Sequence, residues 1–109
     1  MDVKIMVHIE VTSWYPLIKN QEVGDKYNEL VQKPGIPSSV KSFKIYSRAS
    51  RKGIETRAYL EVEIEKLGEA FVDLAQFMGG FAEIEGYSFE YRLTQSLEEI
   101  LAAQQAQQD

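Results

Sequence analysis

VKIMVHIEVTSWYP, residues Val3 to Pro16, sets Val3, Ile5, Val7, Ile9 and Val11 at every second position. A period of two over five apolar residues specifies a β-strand with one face in a core. The opposite face then carries Lys4, Met6, His8, Glu10 and Thr12. His8 is the chain's one histidine, and Trp14, its one tryptophan, follows beside Tyr15 and Pro16. Strand one and the corner that ends it are where a site is expected.

Working outward, Val23, Tyr27, Leu30 and Val31 stand at helical spacing and predict an amphipathic helix over about Asn20–Gln32. Asn20 suits its N-cap and Glu22 its first turn. The run Lys33-Pro34-Gly35-Ile36-Pro37 stops it, with Gly35 suited to a left-handed exit. Strand two is expected from Val40 to Ala49, where Phe43 and Ile45 alternate with Lys44, Tyr46 and Arg48. Ser50-Arg51-Lys52-Gly53 reads as a turn. Strand three follows from Ile54 to about Glu65, with Ala58, Leu60, Val62 and Ile64 on its core face.

Leu67, Ala70, Phe71, Leu74, Ala75 and Met78 trace the stripe of a second helix, about Leu67–Met78, ended by Gly79-Gly80. Phe81–Gly86 reads as a connector, and Tyr87–Thr94 alternates as strand four. Ser96-Leu97-Glu98-Glu99 is a capping box, so a short third helix should begin there and fray into the Gln-rich end. The expected organisation is one domain over 1–96 and a short helix and tail over 97–109.

The order β-α-β-β-α-β is the ferredoxin-like split-βαβ pattern, an α+β sandwich with a four-stranded antiparallel sheet. Both helices should cover its apolar face, with strands one and three central. The other face stays uncovered, and on it fall His8, Glu10, Thr12, Tyr46, Arg48, Arg57, Tyr59, Glu61, Glu90 and Arg92. With that uncovered face, the Pro34-Gly35-Ile36 approach to strand two and the Gly-rich end of helix two, the chain resembles the dimeric α+β barrel superfamily. The resemblance implies a homodimer whose two uncovered sheet faces meet around a shared polar-aromatic cavity. It implies no one reaction, because that superfamily spans cofactor-free enzymes, haem proteins and members without known activity.

Composition narrows the functions further. With no cysteine there is no disulfide framework and no thiolate, and one histidine argues against a zinc site. The expectation is therefore no metal and no cofactor. A net charge of −5 disfavours nucleic acid. Strand one offers Met6 and His8 where an RNA-binding sheet would show aromatics. No apolar run approaches the roughly 20 residues of a membrane span. The first residues read as the start of the fold rather than a signal peptide, so the expected setting is cytoplasmic. Charge is polarised: Lys41 to Arg57 is basic and Glu61 to Glu90 acidic, either as solvated faces or as complementary ends.

Two functions stand side by side. One is a binding or interaction module whose uncovered face serves to dimerise. The other is a cofactor-independent enzyme, isomerase- or monooxygenase-like, acting on a small anionic or aromatic metabolite. In that case His8 is the acid/base, since imidazole exchanges protons near neutrality. Glu10 lies on the same face within ~7 Å along the strand and would orient it. Trp14, Tyr46 and Tyr59 would wall the ligand, and Arg48 or Arg92 would hold an anion by forked hydrogen bonds. The plainer readings are a hydrogen-bonded His8, a core-capping Trp14 and arginines paired with glutamates across the strands.

Overall fold

The computed structural model describes residues 4–108. Val3, expected first on the core face, lies outside the described residues, as does Asp109. Four strands, β1 (Met6–Tyr15), β2 (Val40–Ser50), β3 (Gly53–Glu63) and β4 (Ser88–Thr94), form one antiparallel sheet in the order β2-β3-β1-β4. Strands one and three are central, as the ferredoxin-like order requires. Helices α1 (Asn20–Leu30) and α2 (Leu67–Gly79) follow β1 and β3, and α3 (Leu97–Gln108) follows β4.

The alternation of β1 sets its partition. Val7, Ile9, Val11 and Tyr15 are buried under the helices with Leu60 and Val62 of β3. From the helices Val23, Leu30, Ala70, Leu74, Phe77 and Met78 close on them. Burying side chains of this size contributes about 1.5–3 kcal/mol each, which holds the two layers together. Gly80, the C-cap of α2, lies against the Leu30 side chain at the end of α1. A Cβ there would lie 2.6 Å from Leu30 Cδ2, so the end of α2 packs directly on the end of α1.

Several local expectations are corrected. The chain enters α1 through a 3-10 turn at Leu17–Lys19, so Lys19 takes the cap position and Asn20 is already helical. Ile64 is not core: β3 ends at Glu63 and a 3-10 turn over Ile64–Lys66 leaves Ile64 largely exposed. The connector after α2 is not a mere link, because Phe81 and Ile84 are among the most buried residues. Phe81 stacks on Tyr87 at 4.8 Å, and Tyr87 on Tyr15 at 5.7 Å, all three rings nearly parallel. The third helix is not short. It runs to Gln108, since Ala and Gln are sound helix formers without tertiary anchors.

The barrel is corrected as well. The sheet is open: β2 and β4 are its edges, and it does not close into a barrel. On the uncovered face, the first turn of α3 reaches across to His8. The resemblance to the dimeric α+β barrel superfamily therefore fails on architecture, while the ferredoxin-like sandwich stands. No helix among the described residues is long and apolar enough to cross a membrane.

Candidate functional site

The uncovered face is built of rows running across the strands. The register places Ser42, Glu61, His8 and Thr94 in one row, and Lys44, Tyr59, Glu10 and Arg92 in the next. Tyr46, Arg57, Thr12 and Glu90 follow, then Arg48, Glu55, Trp14 and Ser88. These neighbours are dictated by parity alone once the pairing is set.

His8 lies part-buried between two carboxylates. Its Nδ1 is 3.0 Å from Glu99 Oε1, and its Nε2 is 4.0 Å from Glu61 Oε2. Glu99 comes from α3, and the reason it arrives there is local. The predicted capping box forms: Glu99 N–H donates to Ser96 Oγ at 3.1 Å, and Ser96 N–H donates to Glu99 Oε1 at 2.8 Å. The helix cap thus fixes the same carboxylate oxygen that meets the imidazole. Gln95 Nε2 donates to Met6 O at 3.2 Å and ties the start of α3 to β1. An ionised carboxylate can only accept, so Nδ1 carries the proton in this contact and the neutral ring keeps its lone pair on Nε2.

The expected partner of His8, Glu10, is placed otherwise. Its carboxylate lies 3.9 Å from Arg57, which also reaches Glu55 at 3.4 Å. Beside Tyr59, and then Glu55 and Glu10, the Arg57 guanidinium holds its proton still more tightly than usual. Arg48 pairs with Glu55 at 3.6 Å and Arg92 with Glu90 at 3.3 Å. Trp14 donates its indole N–H to Glu55 at 3.2 Å. Tyr46 and Tyr59 meet edge to face at 6.1 Å, a small aromatic platform next to Arg57. Beyond His8, Glu63 accepts from Lys41 and Lys4 at 3.1 and 3.2 Å, which holds its carboxyl below the usual range. A bulge between Val40 and Ser42 lets Lys41 reach it.

The structure therefore brings Tyr46 and Tyr59 together, and joins Arg48 to Trp14 through Glu55. It pairs Glu10 with Arg57 and His8 with Glu99 and Glu61. Sequence reasoning missed Glu99 and Glu61 as partners of His8. Glu99 had a signal in the capping box, and Glu61 in the cross-strand register.

The donor atoms of His8, Glu61 and Glu99 all lie within 4.8 Å of one another. One imidazole and two carboxylates suit a divalent cation by type. Their arrangement suits proton transfer better, because the two carboxylates flank different ring nitrogens instead of converging on one point beyond Nε2. A His/Glu cluster on the uncovered face and a buried aromatic cluster under the helices are thus the two chemically distinctive features of the chain.

No protein-family profile matches the chain, and no curated protein matches it. Solved structures do. The de novo designed protein Foldit4 is 15% identical with a TM-score of 0.57, over 84% of this chain and 98% of its own. A conserved protein of unknown function from Bacteroides thetaiotaomicron, described as a possible oxidoreductase, is 12% identical with a TM-score of 0.58. That match covers 84% of this chain and 97% of the other. At such identities the likeness shows the fold alone. That a designed protein shares the fold underlines that function here must be argued from side chains.

Proposed function

We propose that the chain is a cofactor-independent acid/base enzyme, isomerase-like, with His8 as the group that takes and returns the proton. The observation that carries this reading is the contact of Nδ1 with Glu99 at 3.0 Å, with Nε2 left toward Glu61. Glu99 orients the ring through the nitrogen that does not react. Nε2 accepts a proton from an acidic C–H or O–H of the substrate, and the imidazolium then lies between two carboxylates. Returning that proton to a different atom completes an isomerisation with no external co-reactant.

The aromatic arm of the substrate class has the better support. Tyr59 stands in the row next to His8 with Tyr46 packed edge to face on it one row further, whereas Arg48, Arg57 and Arg92 each already face a glutamate. A small aromatic carbonyl compound with an acidic C–H fits these groups. A cytoplasmic setting is in keeping with a chain that has no cysteine.

The test is solvent deuterium incorporation into a panel of aromatic carbonyl compounds, followed by proton NMR. The protein should accelerate exchange for at least one of them, and His8→Ala should lower the rate by roughly 10²–10⁴-fold. Exchange that is no faster with protein than without, or that His8→Ala leaves unchanged, ends the proposal.

A further inference from the structure

On the opposite side of the sheet from His8, two adjoining cavities of about 90 and 220 Å³ open between the covering helices and the β2–β3 hairpin. They share Tyr27, Ile45, Thr56, Phe81 and Tyr87 and so form one cleft. We infer that this cleft is a binding site for a small, uncharged, planar aromatic molecule bearing at most one hydroxyl or carbonyl group.

Three observations carry the inference. First, the sequence places Phe43 and Ile45 on the helix side of β2, yet they remain 38% and 41% exposed, with Ile36 at 37% beside them. Helix α1 does not reach over the edge strand, so an apolar mouth faces solvent, and an occupant would remove it from water. Second, the cleft's polar side chains are all uncharged, hydroxyls together with the Asn20 amide at the rim of the larger cavity. Ser13 Oγ accepts from the Tyr87 hydroxyl at 2.9 Å, and the Ser47 and Thr56 hydroxyls bond each other at 3.0 Å. Each pair leaves one O–H donor and acceptor lone pairs free to meet a hydroxyl or carbonyl of the guest. None of the described residues lining either cavity is charged, so an ion entering would lose its hydration with nothing to offset it. Third, the walls are aromatic: the parallel Tyr15–Tyr87–Phe81 stack stands on one side, and Tyr27 meets Phe77 edge to face at 6.3 Å on another. Rings so arranged favour a planar guest by stacked and edge contacts. An apolar cavity of about 150 Å³ suffices for benzene, so one or two fused rings fit the cleft.

The inference is independent of the acid/base reading, since the cleft's strand side chains lie on the opposite face of the sheet from His8 and Glu61. The experiment titrates the full chain with 2-naphthol and with 2-naphthoate, which share a ring system and differ in charge. Methyl and amide shifts are followed by NMR. The expected result is saturable binding of one 2-naphthol per chain, shifts centred on Ile36, Ile45, Ala58 and Met78, and at least tenfold weaker binding of 2-naphthoate. Ala58→Phe should fill the cleft and abolish the shifts. Because that variant risks misfolding, Ile45→Glu at the exposed mouth is the second test, and it should abolish 2-naphthol binding with amide dispersion retained. Equal affinities for the two probes would overturn the proposal. So would non-saturating shifts, shifts centred on His8 and Trp14 or on Leu97 of α3, or a well-folded Ile45→Glu that binds as before.

Discussion

A single oxygen, Glu99 Oε1, joins two jobs that sequence alone keeps apart: it caps α3 and it meets His8. Ser96→Ala removes the other half of the cap and should cost about 1 kcal/mol of helix stability. It should also shift the His8 ring nitrogens in NMR and slow any His8-dependent exchange; an unchanged imidazole would mean that the cap does not position Glu99. Two tyrosines give a second contrast. The Tyr87 hydroxyl is bonded to Ser13, while the Tyr91 hydroxyl is buried without a partner among the described residues. Tyr87→Phe should destabilise by about 1 kcal/mol and Tyr91→Phe should be neutral or stabilising, both read from urea melts. Burial pushes Tyr87 up to about 12 from its usual 10.0. The unfolded chain releases that proton near pH 10 while the folded chain keeps it. Stability is therefore complete below pH 10 and falls as pH rises toward 12, by roughly 2 kcal/mol. Tyr87→Phe should flatten that alkaline loss.

At the scale of elements, glycines separate what a helix wants from what packing allows. Gly24 sits inside α1 with open space where a Cβ would go, so Gly24→Ala should stabilise by about 0.5–1 kcal/mol. Gly80 faces the buried Leu30 side chain, and Gly80→Ala should destabilise by about 1–3 kcal/mol by pushing that side chain out of its place in the core. Chemical denaturation of the pair checks both signs. Equal effects would mean that the contact at Gly80 relaxes freely. The strands behave more simply, because their parity assigns every side chain to a face. The Phe89–Tyr91 pair, 5.4 Å between ring centres, lies on the helix side as the alternation of β4 requires.

At the scale of the molecule, α3 stands largely apart. Leu97 and Leu101 remain exposed, and its hydrogen bonds to the sheet among the described residues are the His8–Glu99 contact and Gln95's bond just before it. Ending the chain after Gln95 should leave the sheet and both covering helices intact, with a loss of no more than about 1–2 kcal/mol. It should remove the Nδ1 partner of His8 and with it any exchange activity. A chain that unfolds on this truncation would show that α3 belongs to the core after all. The open sheet gives the molecule two unlike sides, a charged and tyrosine-bearing face around His8 and an aromatic cleft under the helices.

The periodicities of the chain determined its elements, their order and the sandwich they form, because burial of an apolar face is a local demand that each segment states for itself. The identity of the uncovered face followed from the same parity, and with it the placing of His8, Tyr46 and Tyr59. What surrounds His8 did not follow. Glu10 was the nearest carboxylate along the chain, yet Arg57 on the neighbouring strand claims it, and a carboxylate 91 residues away takes its place. Whether the sheet closes, and whether α1 reaches over β2 to seal the cleft, were likewise beyond reach of pattern. Those outcomes depend on how long elements meet in space, and only the tertiary structure decides such contacts.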